Sequence, residues 1–311
     1  MIKTVPDFFK SFIVKLFACL SLVFLLDLGI GSLLRKFYFK QESGFDFLTT
    51  YAIEKTKADI LIFGSSRAVN IFNTAIFEKQ MGLSCYNAGR YGEPVFYHYA
   101  LLQAVLKRYN PKIVILSFDA GNFSENPEAY DRISALLPYY KSHPEIHSTV
   151  ELKGPYEKLK LLSNIYPYNS LLLHIIAGNS AYSKKKYTNV NGFIPIENTI
   201  SGPLQTFDYL KEKGLDSIKI NTYKSFIQEC INHHIQLHIV CPPYMINAIG
   251  TDQSIIEAKR IAQIYNIKFL DYSRDIFYTT KPQLFADYRH LNANGVELFS
   301  NNVIEKIQGD Q

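Results

Sequence analysis

Residues 59–67 read Asp-Ile-Leu-Ile-Phe-Gly-Ser-Ser-Arg, and the reading of this stretch decides the fold. A short, unbroken apolar run bounded by a turn suits a strand of a parallel sheet covered on both faces. Gly64-Ser65-Ser66 ends the run, and Val69, Phe72, Ile76 and Phe77 follow at helical spacing over 68–81. The same alternation recurs outward along the chain. Residues 83–86 make a second short strand that runs into Asn87-Ala88-Gly89, and 95–109 carry Tyr99, Leu102, Val105 and Leu106 on one helical face. Pro111 introduces a third strand at 112–118. Further on come a helix over 217–234, a strand over 236–240, a helix over 252–265, a strand over 268–271 and a last helix from 294 to about 306. Strands alternating with helices predict a doubly wound, mostly parallel sheet in an α/β/α sandwich. Ligands in that architecture collect at the carboxyl ends of the strands.

Between 122 and 215 the rhythm breaks. This stretch is rich in Tyr, Pro, Asn and Ser, carries helical patches at 130–140 and 156–176, and is too long for a loop. It reads as a mainly helical insertion or lid. Its Tyr139, Tyr140, Tyr166 and Tyr168 offer aromatic faces to a ligand, although tyrosines of this density also fill cores.

Residues 12–34 read FIVKLFACLSLVFLLDLGIGSLL, broken only by Lys15 and Asp27. About 20 mainly apolar residues span a bilayer as a helix. Lys15 is near enough to the end to snorkel, whereas a carboxylate at mid-helix costs about 2.5 to 3.5 kcal/mol. The run is long for a cleaved signal peptide, whose cleavage site here would be Gly29-Ile30-Gly31. It also continues well past Cys19, where a lipoprotein signal would end. The expected organisation is therefore a tail at 1–11, a transmembrane anchor at 12–34, a polar connector at 35–57 and a catalytic body at 58–311. Lys3, Lys10 and Lys15 before the span balance Arg35, Lys36 and Lys40 after it, so charge alone gives no orientation.

Composition narrows the function classes. The 311 residues are 47% hydrophobic and 20% charged, with a net charge of +5 and no Trp, which fits a packed body. No Arg/Lys block is dense enough for nucleic acid, and Lys184-Lys185-Lys186 suits a solvated loop. Cys19, Cys85, Cys230 and Cys241 form no CxxC pair and read as free thiols, mostly buried. The scattered histidines offer no metal spacing, and no metal or cofactor is expected.

Three spots carry chemistry: Gly64-Ser65-Ser66-Arg67, Asn87-Ala88-Gly89 and Asp287-Tyr288-Arg289-His290. A serine at a strand-to-helix turn combines an exposed hydroxyl with backbone N–H groups suited to an oxyanion. Taken alone, Gly-Ser-Ser also suits helix capping, and Asn-Ala-Gly an ordinary turn. In Asp-x-x-His the carboxylate can orient the imidazole, and the imidazole can reach a serine elsewhere in the chain. Three such spots in this order, all at element ends, argue for a site.

These segments resemble the SGNH/GDSL hydrolase superfamily over about 58–121 and 216–306. The resemblance implies Ser66 as nucleophile, with Ser65 standing where the family has Asp. It implies Gly89 as a backbone oxyanion donor, His290 as general base and Asp287 as its partner. The family's third block supplies a donating Asn, but here the third strand ends Ser117-Phe118-Asp119-Ala120-Gly121-Asn122. An ionised Asp119 cannot donate, and losing one oxyanion donor costs about 2.7 to 4 kcal/mol of barrier. Asn122, or positive charge from Arg67 or Arg90, is the expected substitute. An N-terminal anchor joined to Gly-Ser-Ser is similar to the extracytoplasmic branch that includes D-alanyl transfer and alginate O-acetylation proteins. That likeness implies an acylated cell-surface glycan as substrate and a multi-spanning membrane acyltransferase as partner. A non-catalytic glycan-binding or assembly protein on a degenerate hydrolase fold is the alternative.

Overall fold

In the computed structural model, which describes residues 7–180, 191–211 and 214–309, the apolar runs pair side by side. The expected solvated run Lys184–Lys186 and the first six residues of the expected tail lie outside the described residues. β1 (Ile60–Phe63), β2 (Cys85–Asn87), β3 (Ile113–Ser117), β5 (Gln236–Cys241) and β7 (Lys268–Asp271) form one parallel sheet in the order β2-β1-β3-β5-β7. Side chains alternate between its faces. Leu61, Phe63, Val114 and Leu116 join one core, while Ile60, Ile62, Ile113 and Ile115 join the other. Two covered faces explain why the strands read as unbroken apolar runs. A second, two-stranded parallel pair joins β4 (Gln205–Asp208) to β6 (Ile246–Ile249).

The chain leaves β1 toward β2 and then crosses back to β3 on the other side, so the crevice between β1 and β3 is the topological switch point. The expected helix over 68–81 is two helices, α3 (Ser66–Ile71) and α4 (Thr74–Met81). Asn73 splits them, because its side chain accepts from the N–H of Ala75 and caps α4. α5 (Val95–Leu106) then leads to β3.

At the amino terminus α1 runs unbroken from Asp7 to Lys40, and its apolar part is unburied in the described residues. It fits a single-pass anchor or a signal sequence. Residues 35–57, expected as a connector, hold the end of α1 and then α2 (Phe45–Glu54), and Tyr38, Leu48, Ala52 and Ile53 are core residues. Tyr38 also explains two of the insertion's tyrosines. Tyr139 and Tyr168 are buried against it, with the Tyr38 and Tyr139 hydroxyls 3.2 Å apart, so they fill the seam between α1 and the insertion rather than face a ligand. Tyr140 stacks on His147, and the Tyr166 hydroxyl donates to Glu157.

Candidate active site

The site is assembled by the loops that end β1 and β3 and by the loop that precedes the last helix. After β1 the backbone turns at Gly64, whose φ of 144° favours glycine. A Cβ there would sit 2.7 Å from the Ser117 Cβ and 2.8 Å from the Ser117 carbonyl oxygen, so only glycine lets β1 end this close to β3. The next residue, Ser65, is the N-cap of α3 and accepts from the N–H of Arg67; its hydroxyl donates to the Asp119 carboxylate. Ser66 is thereby the first residue of the helix, where backbone N–H groups have no acceptor within the helix.

The second partner arrives on a loop 224 positions away in sequence. The Ser66 Oγ lies 2.8 Å from the His290 Nε2. The His290 Nδ1 in turn lies 3.0 and 2.9 Å from the two Asp287 oxygens. Asp287 also organises its own loop, accepting from the N–H groups of Arg289 at 2.7 Å and His290 at 2.9 Å. Burial pushes its carboxyl up, but the His290 ring and those two N–H groups outweigh burial and hold it below the usual carboxylate range. A bridge between Phe285 and Leu291 closes the loop. Asn292 then caps the last helix, Ala293–Gln308, by accepting from the N–H of Gly295. The sequence after the histidine, Leu291-Asn292-Ala293-Asn294-Gly295, needs glycine at its end, because a Cβ on Gly295 would lie 2.1 Å from the Leu284 carbonyl oxygen.

The supporting residues fall differently from expectation. Gly89 donates its N–H to the Asn87 side chain at 3.0 Å, so it is engaged rather than aimed at an oxyanion. Its glycine is needed because a Cβ would lie 2.9 Å from the Ala68 Cβ on α3. Arg90 is turned toward α2, with Nη2 2.8 Å from Asp46 and Nη1 2.8 Å from Thr49. Arg67 is fully buried and equally committed. Its guanidinium donates to the carbonyl oxygens of Pro243 at 2.7 Å and Arg289 at 3.1 Å, pairs with Asp119 at 3.4 Å, and lies 3.6 Å over the Tyr244 ring. Asp119 therefore acts as an acceptor that ties Ser65 and Arg67 together at the switch point. Both guanidinium groups are thus committed to partners other than the Ser66 hydroxyl.

Asn122 does share the cavity of Ser66. That cavity, about 270 Å³, is also lined by Glu93, Asn126, Arg132, Lys219 and Arg289. A larger one of about 580 Å³ lies beside β6, lined by Asp252, Lys259, Asp271 and Arg274 among others, and is lined by none of Ser66, Asp287 and His290. Among the described residues no group of three His, Cys, Asp or Glu is placed to hold a metal. Arg67 and Tyr244 were missed as organisers in the sequence, since their contacts join four distant segments and no spacing encodes them. The double function of Asn87 was missed too. It donates to the carbonyl oxygens of Ala68 at 2.7 Å and Phe72 at 3.3 Å while accepting from Gly89, a role that the Asn-Ala-Gly turn hinted at without specifying.

No family model matches the chain, and no curated protein matches it. Among solved structures, a Bacteroides fragilis protein described as an acylhydrolase is 13% identical, with 84% of this chain and 94% of that one covered at a TM-score of 0.43. An acetyl xylan esterase is 14% identical over 80% and 99% of the two chains, with a TM-score of 0.41. An α/β hydrolase from the metagenome of Lake Arreo, Spain, is 10% identical over 82% and 96%, with a TM-score of 0.38.

Proposed function

We propose that this chain is a membrane-anchored serine esterase or O-acyltransferase of SGNH type, acting on acyl esters of cell-surface or exported glycans. The observation that carries the reading is the unbroken line from the Ser66 Oγ through the His290 ring to the Asp287 carboxylate. In this reading Ser66 attacks the acyl carbonyl while the His290 Nε2 takes the hydroxyl proton. The tetrahedral oxyanion is met by the Ser66 N–H at the start of α3 and by the Asn122 side chain. Collapse expels the alcohol, which receives its proton from His290 and leaves an acyl-Ser66. Water then releases the acid, or a sugar hydroxyl takes the acyl group. Asp287 holds the imidazole in the required tautomer throughout.

The anchor reading draws on the contacts of α1. Cleavage at 29–31 would remove Asp27, which accepts four protein hydrogen bonds from residues 163–165. Retention of α1 as the anchor, with the span within it and 58–311 as the catalytic body outside the cytoplasm, keeps them. A multi-spanning acyltransferase is the proposed source of acyl groups. The competing reading, a glycan-binding or assembly protein, is favoured by Asp119 at the third strand end and by the engaged Gly89 N–H. A fluorophosphonate probe separates the two. The expected result is labelling of the wild type and none of Ser66→Ala, with p-nitrophenyl acetate turnover falling about 10⁴-fold or more in the variant. An unlabelled wild type would sink the enzyme reading.

A further inference from the structure

From Phe8 to Leu26 α1 is mainly apolar, interrupted by Lys10 and Lys15, and its apolar window is unburied, a length of about 29 Å at 1.5 Å per residue. That is about the thickness of the hydrocarbon core of a bilayer. At Asp27 the helix meets the body. The carboxylate accepts from the Asn164 N–H at 2.7 Å, the Asn164 side chain at 2.9 Å, the Ile165 N–H at 3.2 Å and the Ser163 hydroxyl. About one helical turn further on, Gly31 lets the backbone approach Asn164, since a Cβ there would lie 2.4 Å from the Asn164 Cβ. Backbone outside a helix and an ionised side chain are both costly in hydrocarbon. The turn at 163–165 therefore marks the level where lipid gives way to protein.

On either side of that turn the body is apolar on its outside. Tyr156, Leu159 and Leu162 before it are 67%, 64% and 72% exposed; Leu172, Leu173 and Ile176 after it are 48%, 78% and 61% exposed. The helix Leu172–Gly178 already buries Ile175 in the core, so it is apolar on both sides, a pattern unsuited to a helix facing water. Lys158 and Lys160 alternate with Leu159, and Lys158 is 71% exposed at its side chain.

We propose that residues 156–176 form a foot that rests in the interfacial layer of the bilayer around α1, with lipid as its occupant. Three observations favour lipid over a protein partner: continuity with the apolar surface of α1, the level set by Asp27, and the mixture of Leu, Tyr and Lys that suits the headgroup boundary. With two points of attachment the body cannot swing freely about the anchor. The proposal rests on α1 being a retained span, and its test separates the two. The chain has no Trp, so each single variant carries one reporter. Full-length Leu162→Trp, Leu173→Trp, Phe24→Trp (within α1) and Ile264→Trp (beside β7) are reconstituted into phosphatidylcholine/phosphatidylglycerol vesicles with plain or brominated acyl chains. The expected result is that Trp emission at 162, 173 and 24 is lost to brominated lipid, while emission at 264 is retained. Quenching at 24 alone overturns the foot and leaves the anchor. No quenching at 24 overturns both. Shielding of the 162 reporter from aqueous acrylamide in native membranes but not in pure lipid vesicles overturns the lipid assignment in favour of a protein partner.

Discussion

The imidazole of His290 is held by a residue that also folds the loop carrying it. Asp287 accepts from two backbone N–H groups and from the ring, so Asp287→Ala loosens the loop as well as the base, whereas Asp287→Asn keeps an oxygen for the backbone. We expect Asp287→Asn to lower kcat about 10⁴-fold with little change in Tm, and Asp287→Ala to lower both, as steady-state kinetics and thermal melts would report. Asp119→Ala leaves the fully buried Arg67 without its counter-charge, at a cost of about 3 kcal/mol in urea unfolding. Glu93, at the rim of the same cavity, adds a pH dependence. Burial raises its carboxyl to about 7 against the opposing pull of Arg90 and Arg132. A folded-state value above the unfolded one favours the fold while the group is protonated. Its contribution is therefore complete below about 4.5 and is lost as pH rises through about 7. The wild-type Tm should fall across that window, and the fall should be shallower in Glu93→Gln. Ser66, His290 and Asp287 were legible in the sequence because each sits in a short motif at an element end. Arg67 was legible only as a positive charge, since the acceptors that claim it come from Asp119, Pro243 and Arg289.

At the scale of elements, β1 and β3 were legible because both faces of their sheet are covered, which leaves Ile60–Phe63 and 113–116 without a polar residue. In contrast, β5 and β7 carry Gln236, His238, Lys268 and Asp271 and were legible by their alternation with helices. β4 and β6 were not legible because Gln205–Asp208 is exposed up to half-buried Asp208, Ile246–Ile249 alternates between half-buried and exposed residues, and the two gain their identity only by pairing with each other. The insertion was legible as an interruption, but the destination of its tyrosines depended on where α1 ends, which no local pattern encodes. The turn between β1 and α3 is the least replaceable junction. Gly64→Ala meets both an unfavourable φ and the backbone of Ser117. We expect a loss of about 3 kcal/mol in chemical unfolding, with labelling of Ser66 lost in parallel.

For the whole molecule, α1 divides functionally at Asp27. Removal of residues 1–26 should leave a monodisperse, folded body, whereas removal of 1–41 takes Tyr38 and Gln41 out of the core and should lower Tm markedly. Asp27→Ala should raise amide hydrogen exchange over 163–179 while leaving the sheet protected, because the four hydrogen bonds it removes lie only at that turn. The continuity of α1 also has a mechanical meaning. No pliable linker stands between α1 and the body, so the anchoring proposed above would mount the Ser66 cavity on a mast rather than a leash. The cavity would then sweep a thin shell above the membrane, its altitude fixed where the turn at 163–165 meets the helix and not by the reach of a flexible tether.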